Sequence, residues 1–108
     1  MARNDLQGSL DLLVLKTLSQ RAQLHGYGIV LHIQRASNDL LQVEEGSIYP
    51  ALHRMELSGW ISATWGLTET NRQAKFYKLT AMGRRQLHEA EQGFEQLVKG
   101  VRAMLRYA

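Results

Sequence analysis

The C-terminal quarter of the chain carries the pattern that most constrains its fold. After Thr80, which can cap a helix, apolar side chains recur at alternating spacings of three and four residues until about Tyr107. These apolar positions are Leu87, Ala90, Phe94, Leu97, Val101 and Met104. The heptad spacing predicts a single helix roughly 40 Å long with a narrow apolar seam. A small preceding domain cannot cover a seam of that length, so we expect a second copy of the chain to pair with it.

The composition suits one small folded domain, because 44% of the 108 residues are hydrophobic. The chain contains no cysteine and its four histidines lie far apart, so neither a metal site nor a cofactor is expected. The N-terminus lacks an apolar signal core, and no run approaches the roughly 20 apolar residues of a membrane span. We therefore expect a cytoplasmic protein without a membrane partner. The net charge of +3 permits a nucleic-acid partner.

The segment from Ser47 to Ser58 predicts a short helix that is buried on one side. Ser47 is the expected N-cap, Pro50 falls in the first turn, and Gly59 provides the stop. The expected buried side consists of Ile48, Ala51, Leu52 and Met55. The opposite side carries Tyr49, Pro50, His53, Arg54 and, near its centre, Leu57. A supported helix that presents an aromatic ring, an imidazole and a guanidinium suits insertion into a DNA major groove.

A leucine-rich helix is predicted near the N-terminus, from a Ser9 N-cap to about Gln20. Its apolar residues are Leu10, Leu12, Leu13, Val14, Leu15 and Leu18. A helix that is apolar on so much of its circumference must be covered from more than one side. It is therefore either the central core helix of the domain or a helix that another subunit helps to cover.

A second helix is predicted from about Tyr27 to Ala36, with Tyr27, Val30 and Leu31 on its inner side and Arg35 pointing elsewhere. Residues 37–39 form a turn cluster, and residues 40–43 are expected to make one small strand. Helix, connection and capped helix in this order predict a helix-turn-helix, with residues 47–58 as its recognition element.

A β-hairpin is predicted directly after the recognition element. Residues 60–65 and 75–79 alternate as strands do, and the link between them, residues 66–74, is polar. Five basic residues and no acidic one lie between positions 72 and 85: Arg72, Lys75, Lys78, Arg84 and Arg85. A charged hairpin is usually no more than a solvated surface. Next to a helix-turn-helix, however, the basic run is better interpreted as a wing that holds DNA phosphates.

These elements predict a mainly α fold with a small β-wing. Residues 1–79 would form a winged helix-turn-helix DNA-binding domain, and residues 80–108 a dimerisation helix that makes one compact unit with the N-terminal helix. No nucleophile motif, phosphate-binding glycine loop or other catalytic constellation is present, so an enzyme is not expected. The adjacent carboxylates of Glu44 and Glu45 precede a helix N-terminus, where the helix dipole explains them.

Tyr49-Pro50-Ala51-Leu52 after Gly46-Ser47 resembles the signature helix of the PadR family of bacterial transcriptional regulators. The resemblance extends to the leucine-rich stretch 10–18, to residues 25–29, and to residues 75–80 followed by Gly83. The chain looks like a short member with a single C-terminal helix. The resemblance implies a repressor, and the homodimer predicted from the seam of the last helix implies a near-palindromic operator. Short members often bind flat hydrophobic or phenolic ligands between subunits, which makes such an effector a candidate partner.

Candidate contact residues follow for each partner. For double-stranded DNA they are Ser47, Tyr49, Pro50, His53 and Arg54 on the recognition helix, Asn71, Arg72, Gln73 and Lys75 on the wing, and Arg35 on the second helix. For the homodimer they are Leu10, Leu13, Leu87, Ala90, Phe94, Leu97, Val101 and Met104. The alternative function is a winged-helix module that docks on a protein instead of DNA. Such a module should have a neutral or acidic wing, and the basic run argues against it.

Overall fold

A computed structural model describes the backbone of residues 2–108 and the side chains of residues 9–108. The elements, in chain order, are α1 (Ala2–Gln20), β1 (Leu24–His25), α2 (Gly26–Ala36), α3 (Glu45–Leu57), β2 (Ile61–Leu67), β3 (Gln73–Leu79) and α4 (Ala81–Arg106). Four helices with one small antiparallel sheet confirm the predicted fold class, a winged helix-turn-helix followed by a long helix. Among the described residues no helix is both long and apolar enough to cross a membrane.

The sheet has the strand order β1-β3-β2. Strands β2 and β3 pair from Ile61 opposite Leu79 to Leu67 opposite Gln73, so the hairpin loop spans only residues 68–72. The prediction of a loop over residues 66–74 was therefore too long. Asn71 adopts a left-handed conformation in this loop (φ 62°), which asparagine tolerates better than most residues.

The core lies where α1, α2 and α3 meet the inner face of the sheet. The predicted apolar stripe of α3 is confirmed, because Ile48, Ala51, Leu52 and Met55 are all buried. Helix α1 crosses the centre of this core and contacts each of the other helices. Its buried residues are Leu10, Val14, Leu15, Thr17 and Leu18, while Leu12 and Leu13 are half-buried. Within the single chain α1 is thus the central core helix, and from residue 9 onward two of its leucines are partly open to solvent.

Helix α3 begins earlier than expected, at Glu45, and its N-cap is Glu44, whose side chain makes no capping hydrogen bond. The prediction of Ser47 as the N-cap was wrong: Ser47 lies inside the first turn and its amide donates to the Glu44 carbonyl (3.0 Å). Pro50 accordingly falls in the second turn, not the first, and leaves the Gly46 carbonyl without a helical donor. Negative side chains at the start of a helix are favoured by its dipole, which supports the longer helix.

The predicted stop of α3 is confirmed. Gly59 has φ 81°, a left-handed conformation that glycine adopts without strain. Its amide donates to the Glu56 carbonyl (3.0 Å), and the Trp60 amide donates to the Met55 carbonyl (3.1 Å). These two bonds form a Schellman motif, which ends the helix sharply and leads the chain straight into β2.

The starts of α1 and α2 also differ from the sequence predictions. Helix α1 begins at Ala2, so Ser9 lies inside it and is not its N-cap, although Gln20 is its last residue as expected. Helix α2 begins at Gly26 and is capped by His25, whose Nδ1 accepts from the Gly28 amide (3.1 Å). Histidine is not among the common caps, which is why the sequence pattern did not reveal it.

The inner side of α2 was assigned wrongly by one residue. Ile29, Val30 and Ile33 are buried, whereas Tyr27 is 49% exposed and Leu31 only half-buried. Residues 27–31 are all apolar or glycine, so periodicity alone does not select between adjacent sides of the helix. A shift of one residue rotates a helix by about 100°, which accounts for the error.

Residues 40–43 form no strand, contrary to the prediction. The Ser37 carbonyl accepts from the Leu40 amide (3.0 Å), and the Ser37 hydroxyl accepts from the Leu41 amide (3.0 Å). These bonds continue the turn that ends α2, so the backbone is not free to join a sheet. The third strand is instead Leu24–His25, which pairs with β3 about 50 residues later in the chain.

The C-terminal helix begins as predicted at Thr80, whose hydroxyl accepts from the Gly83 amide (3.0 Å). Leu87 is the last seam residue that the rest of the domain buries. Beyond it α4 projects from the domain and gives the molecule a long dimension of 58 Å against 28 and 23 Å in the other directions. Phe94, Leu97, Val101 and Met104 are therefore exposed in the single chain.

Candidate nucleic-acid interface

The recognition element has a buried side that anchors it and a free side that faces solvent. Successive helix residues are rotated by about 100°. Because Ile48, Ala51, Leu52 and Met55 are buried on one side, four side chains at the intervening and following positions point outward. We call these the outer face of α3: Tyr49, Pro50, His53 and Leu57, all of which are exposed. The predicted exposure of this side of the helix is confirmed, and Arg54, which was predicted to share it, is exposed at its edge. A helix of 13 residues is about 20 Å long, which suits a major groove.

Tyr49 is held in place by the N-terminus of α2. Its ring lies so close to Gly26 that a Cβ at position 26 would be 2.6 Å from the ring carbon Cε1. No residue larger than glycine fits there without moving the ring. Tyr49 nevertheless remains 47% exposed, so the packing fixes its direction while part of the side chain stays available to a ligand.

An open cleft of about 1180 Å³ separates α2 and the start of α3 from the wing. It brings together predicted DNA contacts from three elements: Arg35 of α2, Tyr49 of α3, and Arg72, Gln73 and Lys75 of the wing. The other predicted contacts on α3, namely Ser47, Pro50, His53 and Arg54, are exposed on that helix but do not line the cleft. Asn71 is exposed in the loop at the tip of the wing.

The charges of the cleft favour a polyanion. Its lining includes four cations, Arg21, Arg35, Arg72 and Lys75, against two carboxylates, Glu45 and Glu69. These cations lie on the segment after α1, on α2 and on the hairpin, and such a spread matches a ligand that extends across the domain better than a small anion. The phosphate backbone of a nucleic acid is such a ligand.

The tip of the wing is ordered by its own hydrogen bonds. The Thr68 amide donates to the Arg72 carbonyl (2.8 Å), the Thr68 hydroxyl accepts from the Arg72 amide (3.2 Å), and the Thr68 carbonyl accepts from the Asn71 amide (2.9 Å). This closed turn holds the backbone of Arg72 in one place while its side chain stays exposed. Sequence reasoning attributed Asn71 to DNA contact alone, but its left-handed backbone also shapes the turn.

Arg54 is engaged within the chain. Its two terminal nitrogens donate to the two carboxylate oxygens of Asp11 on α1, at 2.8 and 2.9 Å. The hydrogen bond to Asp11 and the negative charge of that residue raise the pKa of Arg54 above its ordinary value, although partial burial opposes the shift. The side chain is permanently charged and already paired on both arms of its fork.

Lys75 is also engaged. Its Nζ lies 3.4 Å from Glu56 Oε1 and 5.9 Å from the centre of the Trp65 ring. Tyr77, two residues further along β3, is buried close by, and burial raises the pKa of its hydroxyl, with smaller effects from the charges of Glu56 and Tyr49. Near Glu56 the wing therefore contacts α3 through a partly buried polar cluster, whereas the cleft separates the wing from the start of that helix.

Arg21, Tyr27 and Trp65 are among the cleft residues that were missed as candidate contacts. Trp65 shares one side of β2 with Ile61 and Ala63, yet it is 68% exposed because it lies beyond the edge of the core. Tyr27 was assigned to the inner side of α2 by the one-residue error described above. An aromatic residue next to a cation on a predicted wing is the signal that would have found Trp65.

The predicted dimer residues fall into two groups. Leu10 and Leu87 are buried within the single chain and Leu13 and Ala90 are half-buried, so these four mainly belong to the protomer's own packing. Phe94, Leu97, Val101 and Met104 form an exposed apolar row on α4, which we call the α4 seam. Among the described residues, no cluster of three histidine or acidic side chains is placed to hold a metal ion.

Comparisons with known proteins agree with this architecture. A sequence model of the PadR-like family of transcriptional regulators matches residues 14–89. A transcriptional regulator from Clostridium thermocellum has the same fold, with a TM-score of 0.85 and 23% identity over 95% of this chain and 99% of that one. A PadR family transcriptional regulator from Eggerthella lenta is similar as well (TM-score 0.82, 28% identity, 99% and 91% covered).

Bacillus subtilis PadR in complex with operator DNA is a third similar structure (TM-score 0.67, 26% identity). The similarity covers 75% of this chain and 45% of that protein. The match to the family model spans residues 14–89, from α1 into α4, and therefore includes the whole helix-turn-helix and the wing. The chain thus belongs to the PadR-like family of transcriptional regulators.

Proposed function

We propose that two copies of this chain bind a near-palindromic DNA operator and repress transcription from it. The observation that carries the proposal is the outer face of α3, which a buried stripe turns to solvent beside a cleft richer in cations than in carboxylates. The complex of Bacillus subtilis PadR with operator DNA supports DNA as the ligand. A regulator of this kind works where the bacterial chromosome is, so we assign it to the cytoplasm.

In the proposed complex α3 lies in the major groove. Tyr49 and His53 offer hydrogen-bonding groups to base edges, the Ser47 hydroxyl reaches a base edge or a nearby phosphate, and Pro50 offers an apolar contact to a thymine methyl group. Support comes from the position of Tyr49, whose ring packs against Gly26 while 47% of the residue stays exposed. A side chain restricted by such packing loses less conformational entropy on binding, which favours its use for recognition.

The wing and α2 hold the DNA backbone in this proposal. Arg72, with Asn71 and Gln73 beside it, contacts phosphates or enters the minor groove, and Arg35 contacts a phosphate on the other side of the cleft. These residues supply affinity and register, whereas α3 supplies most of the sequence preference. The ordered turn from Thr68 to Arg72 supports this role, because it holds the wing tip in one conformation.

The α4 seam would join the two copies. Four apolar side chains, all exposed and spaced as a heptad, form a stripe whose hydration is unfavourable. Pairing with a second α4 would bury this stripe. Residues 80–108 then act as the dimerisation part and residues 1–79 as the DNA-binding part. A two-fold dimer requires half-sites about one helical turn apart, roughly 34 Å, on one side of the duplex.

Fluorescence anisotropy tests the DNA proposal. Labelled DNA from upstream of the protein's own gene is titrated at several salt concentrations, with unrelated DNA of the same length as control. We expect tighter binding to the upstream fragment and a steep loss of affinity with salt. Arg72→Gln should flatten the plot of log affinity against log salt by about 0.9 for each phosphate that the variant no longer neutralises, and Lys78→Gln should leave the plot nearly unchanged.

Equal and weak binding of the two DNAs would contradict autoregulation, and a genome-wide selection of bound fragments would then locate the operator. Failure to bind any fragment at low salt, by a protein shown to be folded and dimeric, would remove the proposal. Repression is tested separately by a reporter gene behind the bound fragment, whose expression should rise when the regulator is deleted.

We extend the proposal to a small hydrophobic or phenolic effector that binds between the subunits and releases the DNA. The proposed lining residues are Phe94 and Leu97, which are exposed on α4, and Leu13, which is half-buried on α1 in a small groove against α2. Titration with quinones, phenols and flat dyes, followed by anisotropy of the operator complex, is the test. Flat responses across the whole set would remove the effector from the proposal.

A further inference from the structure

Two charged residues mark the two edges of the outer face of α3. On a helix with about 100° per residue, Glu56 lies roughly 20° beyond Tyr49 on one side and Arg54 roughly 40° beyond Pro50 on the other. Each is tied to a different neighbouring element: Arg54 to Asp11 of α1, and Glu56 to Lys75 of β3. The side that would face DNA is thus bracketed by two ion pairs within the chain.

The Arg54–Asp11 pair is geometrically demanding. Both terminal nitrogens of the guanidinium donate, one to each carboxylate oxygen, at 2.8 and 2.9 Å. A planar fork on a planar carboxylate permits essentially one orientation of the two groups. For a phosphate to take the same two-pronged position on the guanidinium, Arg54 would have to give up both bonds, and Asp11, which is mostly covered, would lose its cation.

The direction of Lys75 follows from strand parity. Residues 75, 77 and 79 of β3 share one side of the sheet, and Tyr77 and Leu79 are buried there. Lys75 is thus on the side that faces the helices, where it reaches Glu56, and its register partner Trp65 lies alongside its ammonium group. Lys78 is on the opposite side, exposed, with no carboxylate at ion-pair distance among the described residues.

We infer that the Arg54–Asp11 and Glu56–Lys75 ion pairs set the rotation of the recognition helix and the position of the wing. Arg54 and Lys75 are then positioning residues for DNA recognition, and the phosphate contacts come from Arg72 and Arg35. The inference rests on the proposed function, and it replaces the sequence-based assignment of Arg54 and Lys75 to direct DNA contact. The inference also explains why two acidic residues, Asp11 and Glu56, lie near a DNA-binding face: each holds a positioning cation.

A first experiment tests the wing pair without DNA. Hydrogen exchange of the backbone amides is measured in the unmodified protein, Lys75→Gln, Glu56→Gln and the matched control Lys78→Gln. Exchange at the outer end of the hairpin, where Gly66 pairs with Ala74, should be about two- to fivefold faster in the first two variants, as expected from an ion pair of modest strength. The control should match the unmodified protein. Equal exchange in all four proteins would overturn the inference for the wing.

A second experiment uses the sign of an effect on DNA binding. If Arg54 and Lys75 contact phosphates, then Asp11→Asn and Glu56→Gln free a cation and remove a repelling charge, so operator binding tightens. If the pairs position the helix and the wing, the same substitutions weaken operator binding about two- to fivefold and leave binding to unrelated DNA unchanged or tighter. Tighter operator binding by Asp11→Asn and Glu56→Gln would overturn the inference.

Salt dependence provides the last discrimination. Arg72→Gln should lower the slope of log affinity against log salt by about 0.9 per phosphate, whereas Arg54→Gln and Lys75→Gln should lower affinity and leave the slope unchanged. A slope change for Lys75→Gln equal to that for Arg72→Gln would overturn its positioning role. If the unmodified protein does not distinguish any operator from unrelated DNA, the proposed function fails, and hydrogen exchange still decides whether the pair holds the wing.

Discussion

Helices α3 and α4 carry apolar residues at similar spacings but use them differently. Every apolar stripe residue of α3 is covered by α1, α2 and the sheet, whereas α4 buries Gly83 and Leu87 near its start and leaves the α4 seam exposed. Length is the reason for the contrast. Thirteen residues fit over the core of a small domain, whereas 26 extend far beyond it. Periodicity thus predicts that one side of a helix is to be buried. Whether the same chain or a second one buries it depends on the length of the helix relative to the domain.

The contrast is tested most severely by truncating the stripe of α3. Leu52→Ala removes a fully buried side chain and should lower the free energy of unfolding by about 2–5 kcal/mol, through reduced burial and the cavity left behind. Leu57→Ala, on the outer face of the same helix, should change it by less than about 0.5 kcal/mol. Urea unfolding at one fixed protein concentration measures both. Similar losses of stability for the two variants would mean that α3 is covered on both sides.

A charge on the α4 seam should separate the two copies without unfolding the domain. Leu97 is 62% exposed in the single chain, and Leu97→Glu would place a carboxylate in the proposed interface. We expect the dimer dissociation constant to rise by about a hundredfold or more, because a charge would be buried without a partner. Analytical ultracentrifugation measures it, with Gln96→Glu on the solvent side as control. A dimer that tolerates Leu97→Glu must be held elsewhere.

Glycines provide a smaller test of the same contrast. A Cβ at Gly83, near the covered start of α4, would lie 2.0 Å from the Trp60 carbonyl oxygen, so Gly83→Ala should cost about 1–3 kcal/mol. Gly93 and Gly100 have no atom within 4 Å of such a Cβ. In a Leu97→Glu background, Gly93→Ala should therefore add up to about 1 kcal/mol through helix propensity. Thermal unfolding compares them; a loss of stability at Gly93 would reveal an unexpected neighbour.

The smallest predicted effect concerns pH. Burial raises the pKa of Tyr77, followed in importance by the charges of Glu56 and Tyr49, so the folded state favours the neutral phenol. The resulting stability is fully present below the ordinary tyrosine pKa of about 10 and is lost as pH rises through the higher folded-state value. Urea unfolding between pH 8 and 11 should show a steeper decline for the unmodified protein than for Tyr77→Phe. Parallel declines would contradict the shift.

Much of the fold could be predicted because it depends on local signals. The stripe of α3, its stop at Gly59, the Thr80 cap and the two wing strands each rest on residues within about one turn or one strand. The caps of α1 and α3 were predicted at the wrong residues for a related reason. Ser9 and Ser47 are good caps in isolation, but the backbone before each can continue as a helix, and a cap preference of about 1 kcal/mol does not prevent this.

What the sequence could not predict involves distant partners. Strand β1 has only two residues, and it exists because Phe76 and Tyr77 lie beside it. The pair between Arg54 and Asp11 joins residues 43 positions apart, and no spacing rule connects them. Sequence reasoning could place Arg54 on the exposed side of its helix, and this is where it lies. Whether it is free to contact DNA depended on a carboxylate that only the tertiary fold brings near.

The junction between α3 and α4 has a mechanical consequence. The Thr80 hydroxyl lies 2.7 Å from the Gly59 carbonyl oxygen, to which it donates, and it also accepts from Gly83, while the Thr80 amide donates to the Trp60 carbonyl (3.1 Å). Because there is no room for even a methyl group at Gly83, this junction is tightly packed and rigid. In a dimer joined along α4, each helix then acts as a stiff lever. A change of the angle between the two α4 helices would then move both α3 helices. Such a change, made far from the DNA, would alter the half-site spacing that the protein accepts.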